Sequence, residues 1–287
     1  MGAEDERRLY GERRAETVAY LAAGQGVATV RVGGDQVGRF GLAHRCRARD
    51  VATAEGTVYV AADDGILVGP GEAGGDGRDS AGAPSDSDGF RPLGFDGAAV
   101  AVTTRADAVL AADNDGAVSR YRDGAWEPVG GVGEVRALSG DLVAASDGVY
   151  RVDGDELVGV GLSDARDVAA DGVPLAATGD GLYRLGNGWL CEREGRFAVV
   201  AAATDATERV HAATDETLFA RDDGGWRPVD LPVEEPVVDV AYGQGVYAVT
   251  RRGTFLTRAD PEATADGTGG WRHRSLGLPD AAAVAVA

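Results

Sequence analysis

The sequence predicts an all-β chain folded as a seven-bladed β-propeller of four-stranded antiparallel blades, and three observations carry that expectation. Short apolar runs alternate with Gly- and Asp-rich turns over all 287 residues, and no segment keeps a 3.6-residue apolar period for three turns. The pattern repeats: Ala48-Arg49-Asp50-Val51-Ala52 recurs as Ala165-Arg166-Asp167-Val168-Ala169, and Val100, Val135 and Val168 stand 35 and 33 residues apart. That spacing holds four strands of about five residues each. Finally, the first group of runs is one strand short and the chain ends on one surplus run, so the two complete one blade and close the ring without leaving an exposed terminal sheet edge.

Taken in order, residues 1–16 are charged and aperiodic and are expected to form a flexible or loosely docked arm ahead of a single propeller domain, 17–287. The first group supplies three strands, 17–23, 26–32 and 36–42, separated by Gly-Gln-Gly and Gly-Gly-Asp turns. The second runs through 50–52, 57–61 and 66–68 to a fourth strand at 90–93. Between its last two strands, 69–88 is almost wholly Gly, Ala, Ser, Pro, Asp, Glu and Arg, which reads as an expanded, disordered hairpin loop and not as a linker between domains. Groups three to five place strands at 99–102, 108–112, 117–121 and 126–129; at 135–138, 141–145, 149–152 and 156–160; and at 167–170, 173–177, 182–185 and 189–192. Groups six and seven follow at 198–202, 209–213, 217–221 and 226–230, then 237–242, 246–250, 254–258 and 271–275. The run 281–287, alternating Ala and Val, has the look of a unit's first strand and is expected to pair with the N-terminal three.

Composition narrows the environment and the partners. The chain carries 47 acidic against 28 basic residues, a formal charge of −19, and every basic residue is arginine. An acidic, lysine-free, Ala/Gly/Val/Asp-rich chain fits a salt-loving archaeon, where surface carboxylates hold water and prevent association. Nucleic acid is not expected as a partner, because phosphate binding needs a basic footprint. Cys46 and Cys191 are the only cysteines and have no CxxC spacing, so neither a disulfide framework nor a zinc site is expected. Arg7-Arg8 and Arg13-Arg14 invite an export-signal reading, but the apolar run 17–23 is short and no small-residue cleavage pattern follows. No stretch reaches the roughly 18 apolar residues of a membrane span. The expectation is a cytoplasmic protein, monomeric by default, with no membrane, nucleic acid or cofactor.

Two unit ends carry a resemblance. Ala220-Arg221-Asp222-Asp223-Gly224-Gly225-Trp226 and Thr264-Ala265-Asp266-Gly267-Thr268-Gly269-Gly270-Trp271 resemble degenerate Asp-box hairpins, the Ser/Thr-x-Asp-x-Gly-x-x-Trp loops of sialidase-like propellers. The first is one residue short and the second has Thr268 where that family has Gly. The resemblance implies turns that fold the blade and a Trp that packs between blades, not catalysis. Over nearly its full length, loop 69–88 excepted, the chain resembles a haloarchaeal β-propeller family, most closely at His44-Arg45-Cys46-Arg47-Ala48-Arg49-Asp50-Val51-Ala52; that resemblance implies a fold and a lineage but no activity.

The candidate site is a rim of charge at one mouth of the central channel. Asp50, Asp167 and Asp239 each precede the Val-Ala of an innermost strand, and Glu134, before Val135, is placed in the same register. Arg49 and Arg166 flank two of them at the same offset. The rim can be read as binding a cation or a basic partner, or as carboxylates bonded to neighbouring loops, with the arginines pairing across adjacent blades. His44, His211 and His273 have no partner at metal-ligand spacing, although His44 and Cys46 would share one face of a strand. No Gly-x-Ser-x-Gly or phosphate-binding loop is present, and no catalytic, metal or cofactor residue is assigned. Trp126, Trp189, Trp226 and Trp271 stand at the starts of outermost strands and are expected to pack blades. The leading expectation is a non-enzymatic scaffold that binds another protein; a channel-mouth binder of a cation or small ligand, or a sialidase-like hydrolase, is the alternative.

Overall fold

The computed structural model describes residues 16–71, 89–106, 108–203, 209–259 and 270–287. Among the described residues, twenty-eight strands form seven four-stranded sheets with antiparallel pairing throughout. Blade 1 contains β1 (Glu16–Ala23), β2 (Gly26–Gly33) and β3 (Gln36–His44), and blade 2 contains β4 (Ala48–Ala54), β5 (Thr57–Ala62), β6 (Gly65–Pro70) and β7 (Arg91–Pro92). Blade 3 is β8 (Ala99–Arg105), β9 (Ala108–Asp113), β10 (Ala117–Arg122) and β11 (Ala125–Gly131), and blade 4 is β12 (Val135–Ser139), β13 (Leu142–Ala145), β14 (Gly148–Asp153) and β15 (Glu156–Gly161). Blade 5 follows with β16 (Ala165–Ala169), β17 (Leu175–Thr178), β18 (Gly181–Leu185) and β19 (Trp189–Glu194), and blade 6 with β20 (Val199–Ala202), β21 (Val210–Ala213), β22 (Leu218–Asp222) and β23 (Gly225–Pro228). Blade 7 comprises β24 (Val237–Tyr242), β25 (Gly245–Thr250), β26 (Thr254–Ala259) and β27 (Arg272–Ser275). The last strand, β28 (Ala283–Val286), is the innermost strand of blade 1 and pairs with β1, Ala19 opposite Val286 and Ala22 opposite Ala283. The ring therefore closes as the strand count predicted.

The boundaries differ from the sequence reading in small ways. β1 begins at Glu16, which the sequence assigned to the arm, and Gly69 and Pro70, assigned to the long loop, extend β6. The rest of the arm and loop residues 72–88 lie outside the described residues, as does most of the second Asp-box-like hairpin.

The core is divided among the seven gaps between blades, one apolar cluster in each. Successive residues of a strand point to opposite faces, so each second strand feeds two gaps. In β13, Val143 packs against blade 3 while Leu142 and Ala144 pack against blade 5. That is why the second strands read as unbroken apolar runs such as Leu142-Val143-Ala144-Ala145, all fully buried. Small side chains dominate because strands converge toward the axis and leave little width between sheets.

In blades 3, 5, 6 and 7 the turn from second to third strand is held by one side chain at the second strand's end. Asp113 accepts the N–H groups of Asp115 and Ala117, and the hydroxyls of Thr178, Thr214 and Thr250 accept those of Gly181, Thr217 and Thr254. The connection to the next blade passes directly over this turn. A Cβ on Gly116 would lie 2.4 Å from the Val132 carbonyl oxygen, and one on Gly253 would lie 2.2 Å from that of Leu278. Both glycines have positive φ, 87° and 77°.

Outer strands are tied to the preceding blade by the tryptophans. Trp126 Nε1 donates to the Leu93 carbonyl at 3.0 Å, Trp189 to that of Val160 at 2.9 Å, and Trp226 to the Glu192 carboxylate at 2.8 Å. Trp271 stands edge-on to His211, and its Nε1 is buried without a partner among the described residues.

Candidate functional site

Each innermost strand is an edge strand whose outer N–H and C=O groups line the channel, and a buried backbone group needs a partner. The candidate aspartates supply it. Asp50, Asp167 and Asp239 are the third residues of β4, β16 and β24, immediately after a bulge in the pairing with the second strand. Asp50 accepts its neighbour Val51 N–H with one oxygen and, with the other, Val102 N–H of blade 3, both at 2.8 Å. Asp167 joins Val168 to Val200 of blade 6, both at 2.8 Å, and Asp239 joins Val240 to Val284 of blade 1, both at 2.7 Å. Each carboxylate is a two-pronged bridge between adjacent innermost strands.

Uncharged side chains on innermost strands do the same work in the remaining gaps. Thr53 donates to the Val286 carbonyl between blades 2 and 1, and Thr103 accepts Gly140 N–H between blades 3 and 4. Ser139 accepts Ala170 N–H between blades 4 and 5, and Tyr242 donates to the Ala201 carbonyl between blades 7 and 6. All seven gaps are thus crossed at the channel by a side chain-to-backbone hydrogen bond.

Burial acts against the negative charges. The Asp50 carboxyl is pushed up to about 6 by loss of water, although the N–H groups of Val102 and Val51 pull the other way. Asp167 is pushed up to about 7, again chiefly by burial, opposed by Val200 and Val168 N–H and aided by the charge of Asp50. Asp239 is raised well above the ordinary carboxylate value by burial first, with the charges of Asp167 and Asp50 adding to it. These carboxyls are half-buried by accessible surface but closely surrounded by protein, because their free side opens only into the channel.

Glu134 does not join them. Pairing of Val135 with Ala145, followed by a bulge, puts Ala137 at the position that Asp50 holds in blade 2. Glu134 lies before β12 with an exposed side chain, 3.7 Å from Arg136. The adjacency of Glu134 and Val135 misled because the bulge moves the register by residues that the sequence does not mark. The arginine pairing also differs from expectation. Arg49 pairs with Asp63 at 2.6 Å and Arg166 with Asp164 at 3.0 Å, each inside its own blade. Of the three arginines at the channel, Arg136 is the one that crosses between blades, from β12 to Asp164 and the Ala165 carbonyl ahead of and within blade 5. Arg136 and then Arg166 hold the Asp164 carboxyl below its usual range. Arg49, Arg136 and Arg166 all line the channel, which has a volume of about 550 Å³.

The histidines and cysteines are dispersed. His44 ends β3 and packs on Phe90 at 5.4 Å, whereas Cys46 lies beyond the strand, so the expected shared face is not formed. Burial, then Asp64 and Asp63, push the Cys46 thiol up to about 11. His211 is buried, 2.9 Å through Nδ1 from the Tyr242 hydroxyl, and burial pushes its pKa down to about 4, with Arg258 and Arg209 adding to the effect. Among the described residues, no three His, Cys, Asp or Glu side chains are grouped to hold a metal ion. Also among them, no helix is long and apolar enough to cross a membrane.

Sequence reasoning missed Arg136, Thr53, Thr103, Ser139 and Tyr242. The arginines carried a signal, since Arg136 follows Val135 as Arg166 follows Ala165 and Arg49 follows Ala48. The hydroxyls carried none.

Comparison with solved structures returns a named β-propeller among its matches. The WD40 β-propeller domain of Doa1 aligns with TM-score 0.62 at 13% identity, covering 86% of this chain and 87% of that one. The computationally designed Ika8 protein aligns with TM-score 0.58 at 17% identity (96% and 91%), and a chain of the nidogen/laminin complex with 0.58 at 8% (94% and 98%). At these identities the likeness is one of fold alone. No curated protein matches. Residues 3–287 match the family model described as "Beta-prop_HVO_0234:-like, beta propeller", so this closed, laced ring of seven blades belongs to that family.

Proposed function

We propose that the protein is a non-enzymatic scaffold of a salt-adapted cytoplasm, a rigid disc that presents its faces to another protein. The observation that carries this reading is the use made of the channel aspartates. Both oxygens of Asp50, Asp167 and Asp239 are engaged by backbone N–H groups of two blades, which leaves them as fasteners of the ring instead of free acids, bases or ligands. Contacts with other molecules then fall to the loops and outer faces. The charge of −19 supports the saline setting. The Asp-box-like hairpin at 220–226, where Asp222 accepts Gly224 N–H, bears on folding. The test is a pull-down from native cytoplasm in molar salt. One stoichiometric protein partner is expected; no enrichment above background would count heavily against the scaffold.

The second reading, a small-ligand or cation binder at the channel mouth, is favoured by the open volume beside Arg49, Asp50, Arg136, Arg166, Asp167 and Asp239. Titration calorimetry with Ca²⁺ and Mg²⁺ separates the two. Saturable heat that is lost in Asp50→Asn/Asp167→Asn/Asp239→Asn would favour the binder.

A further inference from the structure

The connection from blade 6 to blade 7, residues 229–236, is the longest of the blade-to-blade connections. Those from blade 3 to 4 and from blade 4 to 5, at 132–134 and 162–164, have three residues each. Pro232 and Pro236 stand within it and Pro228 ends the strand before it, at four-residue intervals that fix φ and remove N–H donors, so it runs as a stiff arm and not as a strand. Its side chains alternate: Asp230, Pro232, Glu234 and Pro236 are exposed, while Val229, Leu231 and Val233 are half-buried, resting on the core between blades 6 and 7 with part of each surface left open.

This arm walls an open groove of about 540 Å³, faced across by Asp215 and Glu216 in the turn between β21 and β22. Of the 13 lining residues five are acidic (Asp215, Glu216, Asp230, Glu234 and Glu235) and none is basic. The chain as a whole has 47 acidic residues in 287, so the groove exceeds even this protein's acidity more than twofold. Glu235 is held by the Thr250 hydroxyl. The other four have no ion-pair partner among the described residues. Arg251 approaches the blade 7 end through its backbone N–H, which donates to the Pro236 carbonyl, but its guanidinium pairs with none of the four.

We propose that this groove docks an extended, arginine-bearing segment of a partner protein, with an apolar side chain against Leu231 and Val233 and guanidinium groups among Asp215, Glu216, Asp230 and Glu234. The inference rests on the scaffold reading above and names the surface and the partner's chemistry. A guanidinium suits the place because it is weakly hydrated, so it can lie against an apolar wall while meeting carboxylates through two N–H groups. A metal ion does not, since no three of these side chains converge. A second copy of the chain, with a net charge of −19, is a poorer complement to these carboxylates at contact distance than a basic segment. The stiff wall holds its shape before binding, which lowers the ordering cost.

The test uses the full chain and a fluorescent Gly-Arg-Val-Arg-Gly peptide followed by anisotropy, with Gly-Glu-Val-Glu-Gly alongside. One variant is Asp215→Asn/Asp230→Asn/Glu234→Gln; a control, Asp123→Asn/Asp153→Asn/Glu156→Gln, removes as many charges from turns remote from the groove. The arginine peptide is expected to saturate at one site, to weaken about tenfold or more in the groove variant, and to change less than about twofold in the control. Equal weakening in both variants would show diffuse attraction and overturn the groove. So would equal binding of the two peptides, no saturation, or a concentration-dependent dimer that the groove variant abolishes. A native partner whose capture survives the groove variant would also overturn it while leaving the scaffold reading intact.

Discussion

Replacing Asp50 and Asp167 together by Asn tests whether buried carboxylates really bridge the blades. Both carboxyls have raised values in the fold, about 6 and about 7, against an ordinary 3.8. The native state therefore binds protons more readily than the unfolded chain, and the stability these groups contribute is full at low pH and lost as pH rises through 6 and then 7. From pH 8 to pH 5, Asp50 gains over about one pH unit and Asp167 over about two, at about 1.4 kcal/mol per unit, roughly 4 kcal/mol together. Asn has no proton to take up. His211 acts in the opposite direction, because a value lowered to about 4 costs stability as pH falls below about 6.5, but wild type and variant share it and it cancels in their difference. Urea unfolding followed by tryptophan fluorescence at pH 8, 7, 6 and 5, at one salt concentration, measures that difference. It should move by roughly 4 kcal/mol in favour of wild type between pH 8 and pH 5. A difference that stays within about 1 kcal/mol across the range would refute the burial of these charges at the channel.

Three further outcomes follow from the packing. Gly116→Ala or Gly253→Ala forces a Cβ into a carbonyl oxygen at positive φ and should lower stability by about 2 kcal/mol or more, read from the urea midpoint; a change below about 0.5 kcal/mol would mean that the connection can move aside. Val284→Pro removes the N–H that Asp239 holds and should destabilise by about 3 kcal/mol or more in urea unfolding; a loss below about 1 kcal/mol would deny that β28 closes the ring. Trp189→Phe keeps most of the ring but removes the bond to Val160, for a loss of about 1–2 kcal/mol in thermal unfolding; no change in Tm would show that only the aromatic area matters.

Much of the fold is legible because it is local. Runs such as Leu142-Val143-Ala144-Ala145 and Asp-Gly turns at Asp147-Gly148 and Asp180-Gly181 specify strand and reversal within a few residues, and counting them yields the seventh blade and the closing role of β28. The candidate site is legible only in its residue types. Asp50, Asp167 and Asp239 stand out by repetition, but the partners that give them meaning are Val102, Val200 and Val284, each 33 to 52 residues away on another sheet. Glu134 looks equivalent in the sequence and is not, because a bulge between Val135 and Ala137 shifts which residue meets the channel.

By itself the sequence determined the all-β class, the repeat length, the number of blades and the completion of blade 1 by the chain's end. These follow from strand periodicity and turn chemistry, which act between neighbours in the chain. Tertiary structure alone decided that the repeated aspartate copies are bridges, that Arg136 and not Arg49 or Arg166 crosses a gap, and that hydroxyls lace the remaining junctions. The physical reason is that each innermost strand leaves an edge of unpaired N–H and C=O groups, and which side chain reaches them depends on how two separately formed sheets are set against each other around the axis.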